Sequence, residues 1–402
     1  MLARSRVIWG VTVDGTRYIS NSSTITIGGL NGVINYSYDC YVTSANGTVY
    51  ACNSSCSGVI RLTSQLSKLH VEGNEIKDQT GNALILRGVN VHDNGQEYMY
   101  LNPGYKLLDE SDFKYLAEQW QVKIVRLPVL PYQWRSIPTY LTQILEPEVQ
   151  WANKYGIYAI ISWQADGSIN APGGGNSSDQ SRTNLTETMN FWSTISQHFA
   201  GRIGVMYEIY NEPGGGCDQS QAACITWDAW RIRAQSLVNA IRGYDPDTLV
   251  LIGGFNGGFD LSGVTRNPVD GSNLAYVSHP YPAQVNTSYC PNPTCWDRYF
   301  GDASKSHPVI VTEWGYYTPD QHNQYEDCAN YAPPNLFYYN GYPGDIMRYL
   351  RSGGMSWLAW DWDPFWCPTM LVAWNNYQTT QYGQFVRQAL TEFAATPTYA
   401  KQ

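Results

Sequence analysis

The stretch VMYEIYNEPGGG, residues 205–216, begins as an apolar, strand-like run and ends on a carboxylate, Glu212, before Pro213 and three glycines. A second stretch, PVIVTEWG (308–315), follows the same plan and leads into Glu313. A carboxylate at the end of a buried strand costs desolvation free energy unless it is hydrogen-bonded or takes part in chemistry. The fold should therefore explain why two buried strands each end in an acidic residue.

Eight short apolar runs recur after residue 66, separated by segments with helical signals. Residues 109–120 open with acidic residues and Ser111, and residues 185–202 repeat apolar side chains at helical intervals. Continuous apolar runs are typical of parallel strands that are buried on both faces. Eight β-then-α units favour a (β/α)8 TIM barrel, an α/β fold with one core. The predicted strands are residues 85–91, 122–128, 156–163, 204–210, 248–254, 274–280, 308–314 and 355–362.

Residues 1–65 differ in pattern from the rest of the chain. They alternate β-branched and polar residues, carry Asp-Gly and Asn-Gly turn signals, and lack helical periodicity. We predict two domains: a small N-terminal β-rich accessory module of unknown role over residues 1–65, and a catalytic barrel over residues 66–402.

The sequence indicates no nucleotide or metal cofactor. An open doubly wound sheet is the alternative to a barrel, but it would carry a Gly-rich phosphate loop after its first strand, and GVNVHDNGQE (88–97) is not one. The Gly-rich stretch at 252–260 lacks the spacing of a dinucleotide fingerprint. The six histidines are scattered, with no His-Glu-x-x-His motif. We predict an activity without cofactor or metal.

Charge and hydropathy argue against a nucleic-acid partner and against a membrane-spanning segment. The net charge is −9, whereas binding to nucleic-acid phosphates needs a basic face. No run of 18 apolar residues occurs, which predicts no membrane-spanning segment. We predict a monomer that binds no nucleic acid and has no membrane-spanning segment.

Cysteines and glycosylation sequons favour an extracellular setting. Residues 1–15 have a basic flank but no apolar core or cleavage site, so we predict secretion without an evident signal peptide. Short-range cysteine pairs in loops rich in Gly, Asn and Pro are interpreted as disulfides, at Cys52/Cys56, Cys217/Cys224 and Cys290/Cys295. Seven Asn-x-Ser/Thr sequons begin at Asn21, Asn35, Asn46, Asn53, Asn176, Asn184 and Asn286.

The barrel hypothesis answers the question raised by the two carboxylates. The carboxyl ends of all barrel strands face one mouth, where catalytic groups collect. Glu212 ends the fourth strand and Glu313 the seventh, so the two face each other across this mouth. Two opposed carboxylates in an aromatic cleft suit the cleavage of glycosidic bonds. One is protonated and the other ionised, so their environments have to push their pKa values apart.

Other strand ends supply side chains suited to the same chemistry. We expect Asn211 to hydrogen-bond a sugar hydroxyl, and His279 and Tyr281 to hydrogen-bond around the nucleophile. Arg126, at the end of the second strand, is expected to lower the pKa of a nearby carboxylate. Trp360, at the end of the eighth strand, offers a flat face for a sugar ring.

The ordered set LRGVN, VRLPV, YNEP, HPYP, TEWG and WLAWDWDP resembles glycoside hydrolase family 5, the cellulase-like branch of the barrel clan with two catalytic glutamates. The resemblance covers about residues 66–395. It implies that Glu212 is the acid/base and Glu313 the nucleophile of a retaining mechanism. It also carries over, at matching positions, the sugar-site residues Arg126, Asn211, His279, Tyr281 and Trp360.

One departure from the family pattern falls at the end of the third strand. The family usually has a histidine there, whereas this chain has Gln164 after Trp163. Gln164 can hydrogen-bond but cannot carry a charge. We expect Gln164 and Trp163 to contact substrate, and His92, at the end of the first strand, to line the cleft.

The function predicted from these residues is a secreted retaining endo-β-1,4-glycanase, specifically an endoglucanase acting on β-1,4-glucan. A β-mannanase or an exo-acting β-glucosidase on the same barrel is the alternative, because a fold does not decide its substrate. A non-catalytic carbohydrate-binding surface protein is the alternative from another class. The polysaccharide substrate, β-glucan or mannan, is the expected partner.

Overall fold

Two units make up the chain in the computed structural model, Met1–Gln65 and Leu66–Gln402. The first is described only by the backbone of its strands. The structure describes residues 6–13, 16–20, 32–43, 49–51, 56–62, 66–95, 106–169, 180–214, 226–282, 294–321 and 341–394.

The first unit is a five-stranded antiparallel sheet, which confirms the predicted β module. The central strand β3 pairs with β1, β4 and β5, and β2 pairs with β1. The strands are β1 (Arg6–Val13), β2 (Thr16–Ser20), β3 (Gly32–Thr43), β4 (Val49–Ala51) and β5 (Cys56–Leu62).

The second unit opens with a hairpin and then forms a closed barrel of eight parallel strands, which confirms the predicted (β/α)8 fold. The hairpin joins β6 (His70–Glu72) to β7 (Glu75–Lys77). Every barrel strand coincides with one of the predicted apolar runs, and β9 alone extends past its run, by the one residue Val129. The barrel strands are β8 (Arg87–Asn90), β9 (Ile124–Val129), β10 (Tyr158–Trp163), β12 (Val205–Glu208), β14 (Val250–Gly253), β15 (Leu274–Ser278), β16 (Val309–Val311) and β17 (Ser356–Ala359).

Helices connect the strands, and two of them match the segments predicted as helical, Glu110–Gln119 and Leu185–Phe199. Asp109 caps the first: its carboxylate accepts from the Ser111 backbone N–H, while the Asp112 carboxylate accepts from the Asp109 N–H. Within the described part of the chain, no helix is long and apolar enough to cross a membrane. Further α-helices in the described part of the chain are Pro131–Ser136, Glu146–Lys154, Trp227–Arg242, Thr294–Trp296, Tyr342–Ser352 and Gln381–Ala394.

Alternate residues of each barrel strand enter two different hydrophobic cores. In β10, Ile160 packs inside the barrel with Ile124 and Met206, whereas Ile161 packs in the layer between strands and helices. Arg126 lies two residues after Ile124, and Glu208 two residues after Met206. This alternation therefore places a buried cation and a buried carboxylate in the interior, next to the carboxyl ends of the strands.

Two short strand pairs lie outside the barrel sheet. Beyond the ends of β10 and β12, β11 (Asp166–Gly167) pairs in parallel with β13 (Glu212–Pro213). This pairing extends the third and fourth strands past the mouth of the barrel and holds the backbone of Glu212. The second pair, β18 (Leu371–Ala373) with β19 (Gln378–Thr379), is antiparallel.

Candidate active site

The carboxyl ends of the barrel strands bring Glu212 and Glu313 together. Glu212 lies in β13 and Glu313 follows β16. A carboxylate oxygen of each residue and a ring nitrogen of His279 all lie within 4.8 Å of one another. The Glu313 side chain is 6% exposed and that of Glu212 is 29% exposed. The two acids therefore share one site, with Glu313 the deeper of the two.

Among the described residues, one group has the spacing of metal ligands: Glu212, His279 and Glu313. His279 Nδ1 is hydrogen-bonded to Glu212 Oε1 at 3.1 Å. The same spacing thus fits a hydrogen-bonded catalytic group.

Arg126, on β9, is fully buried and organises the floor of the site. Its Nε and Nη2 donate to the two oxygens of Glu208 at 2.7 and 2.9 Å. Nη1 donates to Asn90 Oδ1 at 3.0 Å and to Glu313 Oε1 at 2.8 Å, and Nη2 also donates to Asn211 Oδ1 at 2.6 Å. Burial alone would lower the pKa of Arg126, but the Glu208 and Glu313 carboxylates raise it overall, so the guanidinium stays charged.

Glu313 accepts a hydrogen bond on each carboxylate oxygen. Arg126 donates to Oε1, and the Tyr281 hydroxyl donates to Oε2 at 2.9 Å. Burial raises the pKa of Glu313 above its ordinary value, while His279 and Arg126 oppose that rise. Two donors fixed on the carboxylate favour its ionised form.

Glu212 has fewer stabilising partners for a negative charge. Burial raises its pKa to about 7, with the Arg126 cation opposing and the Glu208 carboxylate adding to the rise. Glu212 is therefore protonated in mildly acidic solution, where it is able to donate a proton.

His279 links the strand ends through both ring nitrogens. Nδ1 meets Glu212 Oε1 at 3.1 Å and Nε2 meets Thr312 Oγ1 at 3.0 Å. Burial lowers its pKa, so the ring is neutral, with one nitrogen donating and the other accepting. A Cβ on Gly258 would lie 2.6 Å from Nδ1, which explains a glycine of the 252–260 stretch at this position.

The structure places Gln164 and Trp360 at strand ends, and their sugar contacts stay predictions. Gln164 directly follows β10 and has the same parity as Ile160. Its buried Oε1 has no hydrogen-bond partner among the described residues. Trp360 is 8% exposed and packs edge-on against Trp366, with ring centroids 6.2 Å apart.

The prediction that Trp163 contacts substrate is wrong. Its side chain is fully buried on the outer side of β10, stacks on Phe191 at 4.1 Å and donates from Nε1 to Thr188 Oγ1 at 3.2 Å. The cause is strand alternation, because Trp163 has the same parity as Ile161 and faces the helical layer.

His92 is held as a packed, neutral imidazole. It is 3% exposed, its Nε2 lies 3.1 Å from the Lys106 carbonyl, and its ring meets Trp374 edge-on at 5.5 Å. Burial lowers its pKa to about 4. This packing leaves little of the His92 surface for contact with a sugar. The expectation that His92 lines the cleft therefore stays a prediction.

Sequence reasoning missed three polar residues of the site: Glu208, Asn90 and Asp166. Glu208 had a readable signal, since it is a carboxylate inside an apolar strand and has the same parity as Met206. Asn90 ends the strand β8, and its Nδ2 donates to the Thr312 and Ala359 carbonyls at 2.8 and 3.1 Å. Asp166, in a two-residue strand, carries no comparable pattern.

The predicted disulfides at Cys52/Cys56 and Cys217/Cys224 lie outside the described side chains, as does Cys290.

Residues 77–365, more than half of the chain, match the sequence pattern of the family "Cellulase (glycosyl hydrolase family 5)". Among curated proteins, the chain is 28% identical over 341 residues to Endoglucanase E-5 of Thermobifida fusca, covering 80% of this chain. It is 27% identical over 276 residues to Endoglucanase MaCel5A of a Microbulbifer species, covering 66% of this chain. The chain spans 63% of the first relative and 48% of the second.

Solved structures resemble the barrel closely. The β-glucanase SdGluc5_26A from Saccharophagus degradans superposes with a TM-score of 0.72 at 30% identity, covering 82% of this chain and 94% of that chain. The catalytic domain of Thermobifida fusca endoglucanase Cel5A superposes with a TM-score of 0.61 at 22% identity, covering 81% of this chain and 97% of that chain. The second likeness concerns the fold alone.

Proposed function

The chain belongs to the cellulase family, glycosyl hydrolase family 5, and on that premise we propose that it is a retaining endo-β-1,4-glucanase. The observation that carries the proposal is the approach of Glu212 and Glu313 to within 4.8 Å. Retaining glycosidases hold their carboxyl groups about 5–5.5 Å apart and inverting enzymes about 6.5–9.5 Å apart. The short separation supports a double displacement on one anomeric carbon.

Names of the relatives support β-glucan as the substrate class. Two curated relatives are named endoglucanases, and the structural relative at 30% identity is named a β-glucanase, also solved in complex with cellotetraose. The same names give no support to a mannanase or a β-glucosidase.

In the first step, an oxygen of the ionised Glu313 carboxylate attacks the anomeric carbon. The bond from this carbon to the glycosidic oxygen breaks, and that oxygen takes the proton of Glu212 as it leaves. Arg126 and Tyr281, both hydrogen-bonded to Glu313, hold the attacking carboxylate in one orientation. The products are a glycosyl ester on Glu313 and a shortened glucan chain.

In the second step, water attacks the anomeric carbon of the ester. Glu212, now a carboxylate, takes a proton from this water, and the bond to Glu313 breaks. Both acids return to their starting protonation states, and the released sugar keeps the β configuration. His279, hydrogen-bonded to Glu212, keeps that carboxyl group in position through both proton transfers.

A substrate panel tests the proposal. We expect release of reducing ends from carboxymethyl-cellulose or mixed-linkage glucan, with a rapid fall in viscosity as internal bonds are cleaved. Preference for mannan would indicate a mannanase, and glucose as the first product would indicate exo action. Retarded migration in a glucan-containing gel without hydrolysis would instead indicate a non-catalytic binding protein.

Glu313→Ala provides the matching test of the residues. We expect a folded protein with turnover reduced by about 10⁴-fold or more, as for other lost catalytic nucleophiles. Glu72→Ala is the control, because this 66%-exposed side chain pairs with Lys77 in the β6–β7 hairpin. Wild-type rates in Glu313→Ala would overturn the assignment.

We propose further that the protein is a secreted monomer and that residues 66–402 carry the activity, with residues 1–65 as an accessory module. Cys295 and Cys367 are both disulfide-bonded, which supports an oxidising compartment. The family match begins at residue 77, which supports a catalytic unit separate from the N-terminal module.

A further inference from the structure

Asp166 lies beside the candidate acid/base, and none of the roles above involves it. The β11–β13 pairing sets Asp166 opposite Glu212 and Gly167 opposite Pro213. Asp166 Oδ1 accepts a hydrogen bond of 2.7 Å from Asn211 Nδ2. A further carboxylate, besides those of Glu212, Glu313 and Glu208, thus lies at the site, from the end of the third strand.

The backbone around Asp166 is anchored on both sides. Its N–H donates to the Ser181 carbonyl at 3.2 Å, and the Tyr210 hydroxyl donates to its carbonyl at 3.4 Å. The Glu212 N–H donates to the Ala165 carbonyl at 3.1 Å. Asp166 is therefore held in register with Glu212.

Asp166 and Arg126 together fix the amide of Asn211. The amide oxygen accepts from Arg126 Nη2 at 2.6 Å, and the amide nitrogen donates to Asp166 at 2.7 Å. An amide NH2 group cannot accept from guanidinium, and an amide oxygen cannot donate to a carboxylate, so only one orientation satisfies both neighbours. The second N–H of the amide has no partner among the described residues, and it is the one that Asn211 can offer to a sugar hydroxyl.

The charged groups around Glu212 come from several strand ends. Arg126 on β9 opposes a high pKa, whereas Glu208 on β12 favours it. His279 after β15 and Glu313 after β16 face the same carboxyl group. Asp166 is an exposed residue, so water screens the rise of its pKa, which partial burial and then the charge of Glu212 produce and which hydrogen bonds from Asn211 and Ser181 oppose. Ionisation of either Asp166 or Glu212 thus disfavours ionisation of the other.

We propose that Asp166 is a positioning residue of this active site, which orients the Asn211 amide toward the sugar and helps to keep a proton on Glu212. The proposal rests on the proposed function, because it needs Glu212 as the acid/base. It assigns a reason to the extension of the third and fourth strands beyond the barrel mouth.

Two variants separate the two effects. Asp166→Asn keeps an oxygen for the Asn211 hydrogen bond but removes the charge, whereas Asp166→Ala removes both. Asp247→Asn is the charge-matched control, since Asp247 is 57% exposed, pairs with Lys68 and precedes β14 at the opposite end of the barrel. The readouts are kcat and kcat/KM from pH 4 to 9 on soluble β-glucan, with thermal unfolding of each full-length variant.

For Asp166→Asn, we expect the alkaline limb of the kcat/KM profile to move to lower pH, with turnover near the acid optimum largely retained. The sign follows from charge: without a neighbouring carboxylate, Glu212 loses its proton more readily. For Asp166→Ala, we expect in addition a loss of kcat of about tenfold or more at every pH, because a displaced contact group costs turnover.

One result would overturn this proposal without touching the proposed function. In it, the wild type hydrolyses β-glucan, and the pH profiles of Asp166→Asn and Asp247→Asn both superpose on that of the wild type. An isosteric change keeps this comparison valid if Asp166→Ala fails to fold. A wild type that hydrolyses no β-glucan would overturn the proposed function, and this inference with it.

Discussion

Arg126 is the residue on which the geometry of the site depends most. Its guanidinium donates five hydrogen bonds, to Glu208, Asn90, Glu313 and Asn211, without contact to solvent. A planar fork of donors suits this arrangement, whereas a lysine ammonium is a single point charge.

We predict that Arg126→Lys lowers kcat/KM by about 100-fold or more, because Glu313 and Asn211 lose their fixed donor. The free energy of unfolding should fall by about 3 kcal/mol, since Glu208 loses its bidentate partner. Arg202→Lys is the control: this half-buried pair with Glu146 should cost less than about 1 kcal/mol and leave activity intact. Equal effects of the two variants would contradict this role for Arg126.

The two glutamates predict a bell-shaped pH profile. The proposed first step needs Glu313 ionised and Glu212 protonated. Activity should fall on the alkaline side near pH 7, as Glu212, whose pKa is about 7, loses its proton. On the acid side, activity should fall at a pH above the ordinary pKa of glutamic acid, because the pKa of Glu313 is raised.

Measurement of kcat/KM on soluble β-glucan across pH checks this prediction, since the profile reports the free enzyme. Glu212→Gln should remove the alkaline limb for an activated aryl cellobioside that needs no proton. An alkaline limb of the wild type near pH 9 would contradict the assigned roles.

At this scale the sequence predicts residues that stand at strand ends within recognisable motifs. Glu212, Glu313, Arg126, His279 and Tyr281 fall in one hydrogen-bonded group, as expected from the mouth of a barrel. Trp163 was mispredicted because a strand-end position does not reveal which face a side chain takes. Asp166 was missed because its position depends on backbone pairing between two separate segments.

At the scale of elements, the contact between β8 and β9 depends on a glycine. Gly88 pairs with Ile124, and a Cβ on Gly88 would lie 1.6 Å from the Ile124 carbonyl oxygen. No side-chain rotation relieves a clash with backbone, so the two strands would have to move apart.

We predict that Gly88→Ala lowers the free energy of unfolding by about 3 kcal/mol or more, as overpacking does in rigid cores. Gly344→Ala is the matched control, because its Cβ would meet only Arg348 Nη1 at 3.5 Å in the exposed first turn of a helix. There alanine should stabilise by about 0.5–1 kcal/mol. Urea unfolding compares the two, and changes of the same sign would contradict the packing argument.

The barrel strands were predictable because burial on both faces makes each a continuous apolar run, such as 156–163 for β10. The helix Glu110–Gln119 was predictable from the acidic residues of its first turn. The pair β11–β13 was not, since two-residue strands leave no periodic pattern and form only because β10 and β12 already lie side by side.

At the scale of the whole molecule, all eight barrel strands and both hydrophobic cores come from the unit Leu66–Gln402. We predict that a chain shortened to residues 66–402 folds cooperatively and hydrolyses soluble β-glucan at a rate close to that of the full chain. Thermal unfolding and reducing-end assays of both chains check this. An insoluble or inactive short chain would show that residues 1–65 are needed by the barrel.

The central claim is that Glu313 forms a covalent bond with the sugar while Glu212, within 4.8 Å, supplies the proton. With an activated 2-deoxy-2-fluoro-β-cellobioside as substrate, hydrolysis of the glycosyl-enzyme is slow and this intermediate accumulates. Mass spectrometry of the digested protein then locates the adduct. The account predicts one disaccharide ester on the peptide that contains Glu313, and none in Glu313→Ala. Rapid hydrolysis of β-glucan with the adduct on another residue, or with products released in the α configuration, would contradict it.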